Sequence, residues 1–154
     1  MFVSITRLRV RRWWLVPAFA VHTWRSRRQA RSSPGFLAGA LAGELWLVFW
    51  TSTVWVDEKS MRSFRNSAAH LNAMPRLLRW CDEASFLHWD QEDAALPSPG
   101  TAFQRLRDSG KLSKVLYPSP RHAAGDTTGQ TVPKLAGEFG PRRIAARPES
   151  RGTR

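Results

Sequence analysis

The chain opens on FVSITRLRV, where β-branched and aromatic residues crowd together and arginines enter only towards the end, a pattern that predicts a strand over Phe2 to Val10. Past Arg11 and Arg12, Val16, Phe19, Ala20 and Thr23 or Trp24 recur at helical spacing. A helix is therefore expected from Leu15 to about Arg31, with Pro17 tolerated in its first turn. Arg25, Arg27, Arg28 and Arg31 crowd its last turns, where cations complement the negative end of the helix dipole, and Ser32 to Gly35 ends it. FLAGALAG and LWLVFWTSTVWV then read as the two strands of a hairpin. The second strand is mainly apolar on both faces. Leu47, Phe49, Thr51, Thr53 and Trp55 lie on one, and Val48, Trp50, Ser52, Val54 and Val56 on the other, whereas a strand with one wet face would alternate.

Asp57 stands where an N-cap is needed, with its carboxylate able to accept from the amide of Ser60, and Met61 and Phe64 form the inner face of the helix that follows. Ser67 is expected to cap a second helix in which Leu71, Met74, Leu78 and Cys81 recur at spacings of three, four and three. Pro75 predicts a kink or break near Met74. ASFLHW follows as a fourth strand. The order β-α-β-β-α-β is that of the ferredoxin-like split βαβ unit, so the expected fold class is α+β. SPGTAFQRLRDSG offers a capped helical turn or two facing inward through Phe103 and Leu106, and KLSKVLY a short strand. Beyond Tyr117 large apolar residues almost vanish, which predicts a disordered basic tail. The expected organisation is one domain over residues 1–117, with its core at 2–93 and a helical extension at 97–117, followed by the tail at 118–154.

Composition sharpens this picture in three places. The chain has 154 residues and is 42% hydrophobic, enough for one core. Its single cysteine, Cys81, excludes an intramolecular disulfide and a cysteine-based zinc site and fits a cytoplasmic setting. The net charge of +12 is unevenly spread: residues 1–33 hold eight Arg and no acid, residues 121–154 hold seven Lys or Arg against three acids, and the middle is balanced. Nucleic-acid or membrane binding is accordingly not the expected role, although the arginine-rich first helix and the tail offer charge for either. The apolar run Trp13 to Ala20 is too short to span a bilayer. The acid-free start mimics a transit peptide, but its strand and helix patterns read as structure. No GxSxG, HExxH, CxxC or phosphate-binding glycine loop occurs, so hydrolase, zinc-protease and nucleotide-driven chemistries have no support. His22, His88 and His122 have no partner that spacing can identify.

The segment WTSTVWVDEKSMRSFRNSAAHLNAM resembles the signature of the antibiotic-biosynthesis-monooxygenase superfamily: a strand ending in Trp, an acidic cap, an aromatic, a Ser or Gly, and a His. Here these are Trp55, Asp57, Phe64, Ser67 and His70. With the opening FVSITRLRVRRWWLVPAF it is also similar to the spheroidene monooxygenase-like members, which are haem-containing oxygenases. The resemblance covers residues 2 to 93. It implies a dimeric α/β barrel, hence a homodimer in which the second apolar face of Leu47 to Val56 meets a partner sheet, and a monooxygenase-like activity on an apolar or aromatic small molecule, cofactor-free or haem-dependent. The catalytic candidates are His70, Trp55 and Asn66. His70, with Met74 one turn later, is the candidate haem-binding pair; the alternative for His70 is packing at a helix start. The haem-degrading members carry Asn, Trp and His where this chain has Thr6, Phe64 and Met74, which argues against that reaction. Trp46, Trp50, Trp55 and Phe49 are candidates to line an aromatic pocket. The alternative reading is a non-catalytic dimer of the same fold.

Overall fold

The N-terminal run of alternating side chains becomes the centre of an antiparallel sheet. The computed structural model describes residues 1–44, 47–129 and 131–142. Within them β1 (Phe2–Val10) lies between β3 (Val48–Trp55) and β4 (Cys81–Asp90), and β2 (Phe36–Glu44) pairs with β3. The inner order β4-β1-β3-β2 is the ferredoxin-like arrangement expected from the sequence. Two additions widen the sheet: β5 (Lys111–Leu112) beside β4, and β6 (Lys134–Phe139) beside β2.

The helices divide between the two faces. α1 (Val16–Arg31), α2 (Glu58–Arg65) and α3 (Ala68–Trp80) lie on the face that carries Phe2, Val10, Phe49 and Trp55, called the helix face below. The opposite face, with Val3, Ile5, Val48, Trp50, Val54 and Leu87, packs on Ala102, Phe103 and Leu106 of α4 (Pro99–Ser109). The second apolar face of β3 is thus met within the chain, so its burial does not require a partner sheet.

Several local expectations change. The helix through Pro75 is unbroken from Ala68 to Trp80, and Pro75 stands on its exposed side. Cys81 is the first residue of β4 rather than the last of the helix, because its amide still closes on Leu77 while its backbone has turned extended. Leu71 and Met74 point outward, and Ala73 is the buried residue of α3. On α1 the inner face is Phe19 and Ala30, which leaves Ala20 and Trp24 exposed. KLSKVLY contributes only Lys111–Leu112 as strand.

The expectation of a disordered tail from residue 118 is corrected for residues 118–142; residues 143–154 lie outside the described residues. α5 (Pro120–Ala123) and β6 belong to the fold, and Ser119, His122, Thr128 and Phe139 are buried. The tail holds on with few apolar groups because its anchors are polar. Ser119 Oγ donates to Glu83 at 3.0 Å and Thr131 Oγ1 to Glu44 at 3.0 Å. These two carboxylates flank Arg7, at 2.6 Å (Glu83) and 3.1 Å (Glu44), and the Trp50 indole donates to Glu44 at 2.7 Å. Gly129 lies against the Arg7 guanidinium with φ 77°, where a side chain would collide. Phe139, the one large aromatic of this stretch, stacks on Phe36 with centroids 5.7 Å apart.

Candidate functional site

On the helix face, two sealed apolar clusters stand at the ends of the sheet. One gathers Phe2, Phe36, Trp55, Met61 and Phe139, the other Val10, Phe19 and Cys81. Between them the strand register lays down two cross-strand rows, Thr53–Ser4–His88 and Thr51–Thr6–Phe86. All six residues are only partly buried. Between the clusters, the middle of the helix face therefore carries hydroxyls, one imidazole and one phenyl ring that stay partly accessible. His88 packs between Phe2 (5.4 Å) and Phe86 (5.2 Å), and burial, followed by the nearby Arg65 charge, lowers its pKa.

His70 rises from the helical side. Its imidazole leans on Phe64 at 4.7 Å, and Phe64 stacks on Trp55 at 5.1 Å. His70 Nδ1 lies 3.2 Å from the Arg65 carbonyl, and because a carbonyl can only accept, Nδ1 carries the proton of the neutral ring. Nε2 then holds the free lone pair, available to a proton or a metal. Burial lowers the His70 pKa most, with the Arg65 hydrogen bond opposing and the Arg65 charge assisting, so the ring is neutral at pH 7. The helix that carries it is held from α1: Gln29 Oε1 accepts from the His70 amide at 2.9 Å, and Gln29 Nε2 donates to the Phe64 and Ser67 carbonyls. Ser67, predicted to be the cap, makes no capping bond of its own.

Trp55 and His70 are thus joined through Phe64. Trp55 is fully buried, and its indole N–H has no hydrogen-bond partner, an uncommon state for a buried donor. Asn66 stands apart as the exposed C-cap of α2, accepting from Arg65 at 3.3 Å. The expected aromatic pocket is not assembled: Trp50 lies on the α4 side, Phe49 and Trp55 lie on the helix face, and Trp46 is outside the described residues. A separate cavity of about 290 Å³ does lie on the α4 side, where Ala40, Ala42, Trp50 and Ser52 face Leu96 and Ala102.

Met74 is 42% exposed. Axial ligands stand on opposite faces of a haem, whereas side chains four residues apart on one helix stand side by side. His70 and Met74 therefore do not fit as an axial pair. No cluster of three His, Cys, Asp or Glu suited to a metal ion occurs among the described residues.

The sequence reading missed His88 and the hydroxyl rows. Ser4 and Thr6, and Thr51 and Thr53, already alternate at strand period, so the signal for one polar face was present. Their convergence with His88 depends on strand register.

No family model matches this chain, and no curated protein sequence does. Solved structures do match. An antibiotic biosynthesis monooxygenase-like protein from Nitrosomonas europaea superposes with TM-score 0.52 at 16% identity, over 60% of this chain and 100% of that one. A conserved protein from Methanosarcina mazei gives 0.52 at 16%, over 59% and 92%. SnoaB, a cofactor-independent oxygenase from Streptomyces nogalater, gives 0.51 at 17%, over 63% and 97%. The fold of this chain is that of the antibiotic-biosynthesis-monooxygenase-like proteins.

Proposed function

We propose that this chain is a small monooxygenase-like protein that takes an apolar or aromatic molecule into a crevice between the helix face and α2–α3, with His70 as its base. The observation that carries the reading is the pair of half-buried rows, Thr53–Ser4–His88 and Thr51–Thr6–Phe86, left open between two sealed clusters. Aromatic walls from Phe64 and Phe86 suit a flat apolar ligand, and the hydroxyls suit its polar substituents. In this reading the free lone pair of His70 Nε2 takes a proton from an acidic substrate group such as a phenol, and the resulting anion is the electron-rich form that reacts with dioxygen. Its likeness in fold to SnoaB favours a cofactor-free route.

Oxygen uptake against a panel of polycyclic phenols tests this. Turnover is expected, with a loss of at least about 100-fold in His70→Ala, the usual scale of a general base. Binding of the panel without oxygen uptake would instead establish the non-catalytic alternative, which the Thr6, Phe64 and Met74 positions support. A Soret band formed on haem titration and lost in His70→Ala would show that haem, not free base chemistry, occupies the site. The homodimer implied by the resemblance belongs to the same proposal. Sedimentation equilibrium at micromolar concentration is expected to show the dimer.

A further inference from the structure

Three tryptophans lie on the outside of the molecule: Trp13 at 62% exposure, Trp14 at 57% and Trp24 at 57%. Trp13 and Trp14 stand in the 3-10 turn Trp13–Leu15 that runs into α1, and Trp24 stands on α1. On α1, Pro17, Val21, Trp24, Arg28 and Arg31 recur at spacings of four, three, four and three and are all exposed, opposite the buried Phe19 and Ala30. The first half of this stripe is apolar and the second is cationic. Arg12 lies over the Trp14 ring at 5.7 Å and Arg28 over Trp24 at 5.8 Å, so two of the three exposed indoles are flanked by a guanidinium. Beside the cationic half, Trp24, Arg27, Arg28, Arg31 and Arg142 line a surface cavity of about 340 Å³. Arg25, Arg27, Arg28, Arg31 and Arg142 form no salt bridge among the described residues.

We propose that this face of α1 docks on an anionic membrane surface, with Trp13, Trp14, Val21 and Trp24 seated at the level of the lipid headgroups and the arginine cavity holding a lipid phosphate. The sequence offered only the charge. The structure adds the part that charge lacked: Trp24 exposed on α1, and Trp13 and Trp14 exposed in the turn that leads into it. Trp prefers the membrane interface because its ring is apolar and its N–H is wet. Along this stripe Pro17, Val21 and Trp24 can enter the headgroup region while Arg28 and Arg31 meet the anionic surface. Charge complementarity favours lipid phosphates over a neutral partner, since residues 1–33 contain eight Arg and no acid. No described helix is long and apolar enough to cross a membrane, so the attachment is peripheral. The inference goes beyond the proposed activity and does not depend on it: the crevice lies between the sheet and α2–α3, whereas this surface is the outer side of α1.

Co-sedimentation of the full-length protein with vesicles tests the proposal. Binding is expected to vesicles of phosphatidylcholine mixed with phosphatidylglycerol, to fall as salt is raised, and to be negligible with phosphatidylcholine alone. Arg25→Glu/Arg28→Glu should weaken it by about fivefold or more per arginine. Trp14→Ser/Trp24→Ser should weaken it by at least about tenfold. Both variants change exposed side chains, and an unchanged thermal midpoint confirms folding; if one misfolds, the other still decides. Inorganic pyrophosphate that displaces the protein only at salt-like concentrations supports a lipid-bound headgroup. Displacement at micromolar pyrophosphate would reassign the cavity to a free phosphate compound. Absence of vesicle binding would overturn the proposal. So would tighter binding to a single-stranded oligonucleotide than to vesicles, or a dimer that dissociates in Trp14→Ser/Trp24→Ser.

Discussion

The Cys81 thiol sits at the first position of β4, fully buried beside Asp82, and burial followed by that neighbouring carboxylate pushes its pKa up to about 12. Since the thiolate is the reactive form, Cys81 should resist a thiol reagent at pH 8 in the native protein and react promptly in denaturant. Stoichiometric labelling of the folded protein would contradict this. His70 moves in the opposite sense, because burial disfavours its cation. With its pKa lowered from 6.5, the free base persists to more acid pH than in an exposed imidazole. The acid limb of oxygen uptake should therefore lie below pH 6.5, and its absence in His70→Ala would assign it to this ring. Sequence singled out both residues by type. It could not supply their burial, and burial is what makes one inert and the other a base.

Among the elements, the contrast between two helix caps shows how far local sequence reaches. Asp57 accepts from the Ser60 amide at 2.7 Å, as the sequence predicts, because donor and acceptor are three residues apart. α3 is started differently. The amide of His70 is satisfied by Gln29, which is 41 residues away on α1, while Ser67 Oγ donates to the Phe64 carbonyl. Gln29→Ala is expected to cost about 1 kcal/mol of stability, the usual worth of a cap, and to weaken activity by loosening the helix that positions His70. A urea midpoint unchanged from wild type would refute this role. The inward face of α1 shows the same limit: a helical period fixes which residues share a face, but only packing against the sheet fixes which face points in.

For the molecule as a whole, the notable feature is a neutral four-charge cluster that joins four segments. Arg7 bridges Glu44 of β2 and Glu83 of β4, with Arg7 and both carboxylates at 4–5% exposure, and Arg9 adds a second contact to Glu83 at 2.9 Å. Ser119 and Thr131 tie the C-terminal segment to the same carboxylates. Arg7→Met keeps most of the volume but leaves the buried Glu44 without a cation and Glu83 with Arg9 alone, and a loss of about 3–5 kcal/mol is expected, read as a fall in the denaturation midpoint. Burial alone would raise the Glu83 pKa, but Arg7, Arg9 and Ser119 outweigh it and hold it below 4.5. A depressed carboxylate stabilises the fold above its unfolded pKa, and that contribution is lost as pH falls through the folded value. Wild-type stability should therefore drop below about pH 4.5, with a shallower dependence in Arg7→Met, as chemical denaturation across pH would show.

The order of strands and helices, the ferredoxin-like class, the Asp57 cap and the two-faced character of β3 were determined by the sequence, since each depends on neighbours within a few residues. Tertiary structure alone decided what covers each face of β3, that residues 118–142 belong to the fold, that Ser4, Thr6, Thr51, Thr53 and His88 come together on the helix face, and that Trp24 faces outward. Each of these depends on pairing or packing between residues far apart in the chain. Side-chain type and period fix what a face is made of; only register and packing determine what it meets.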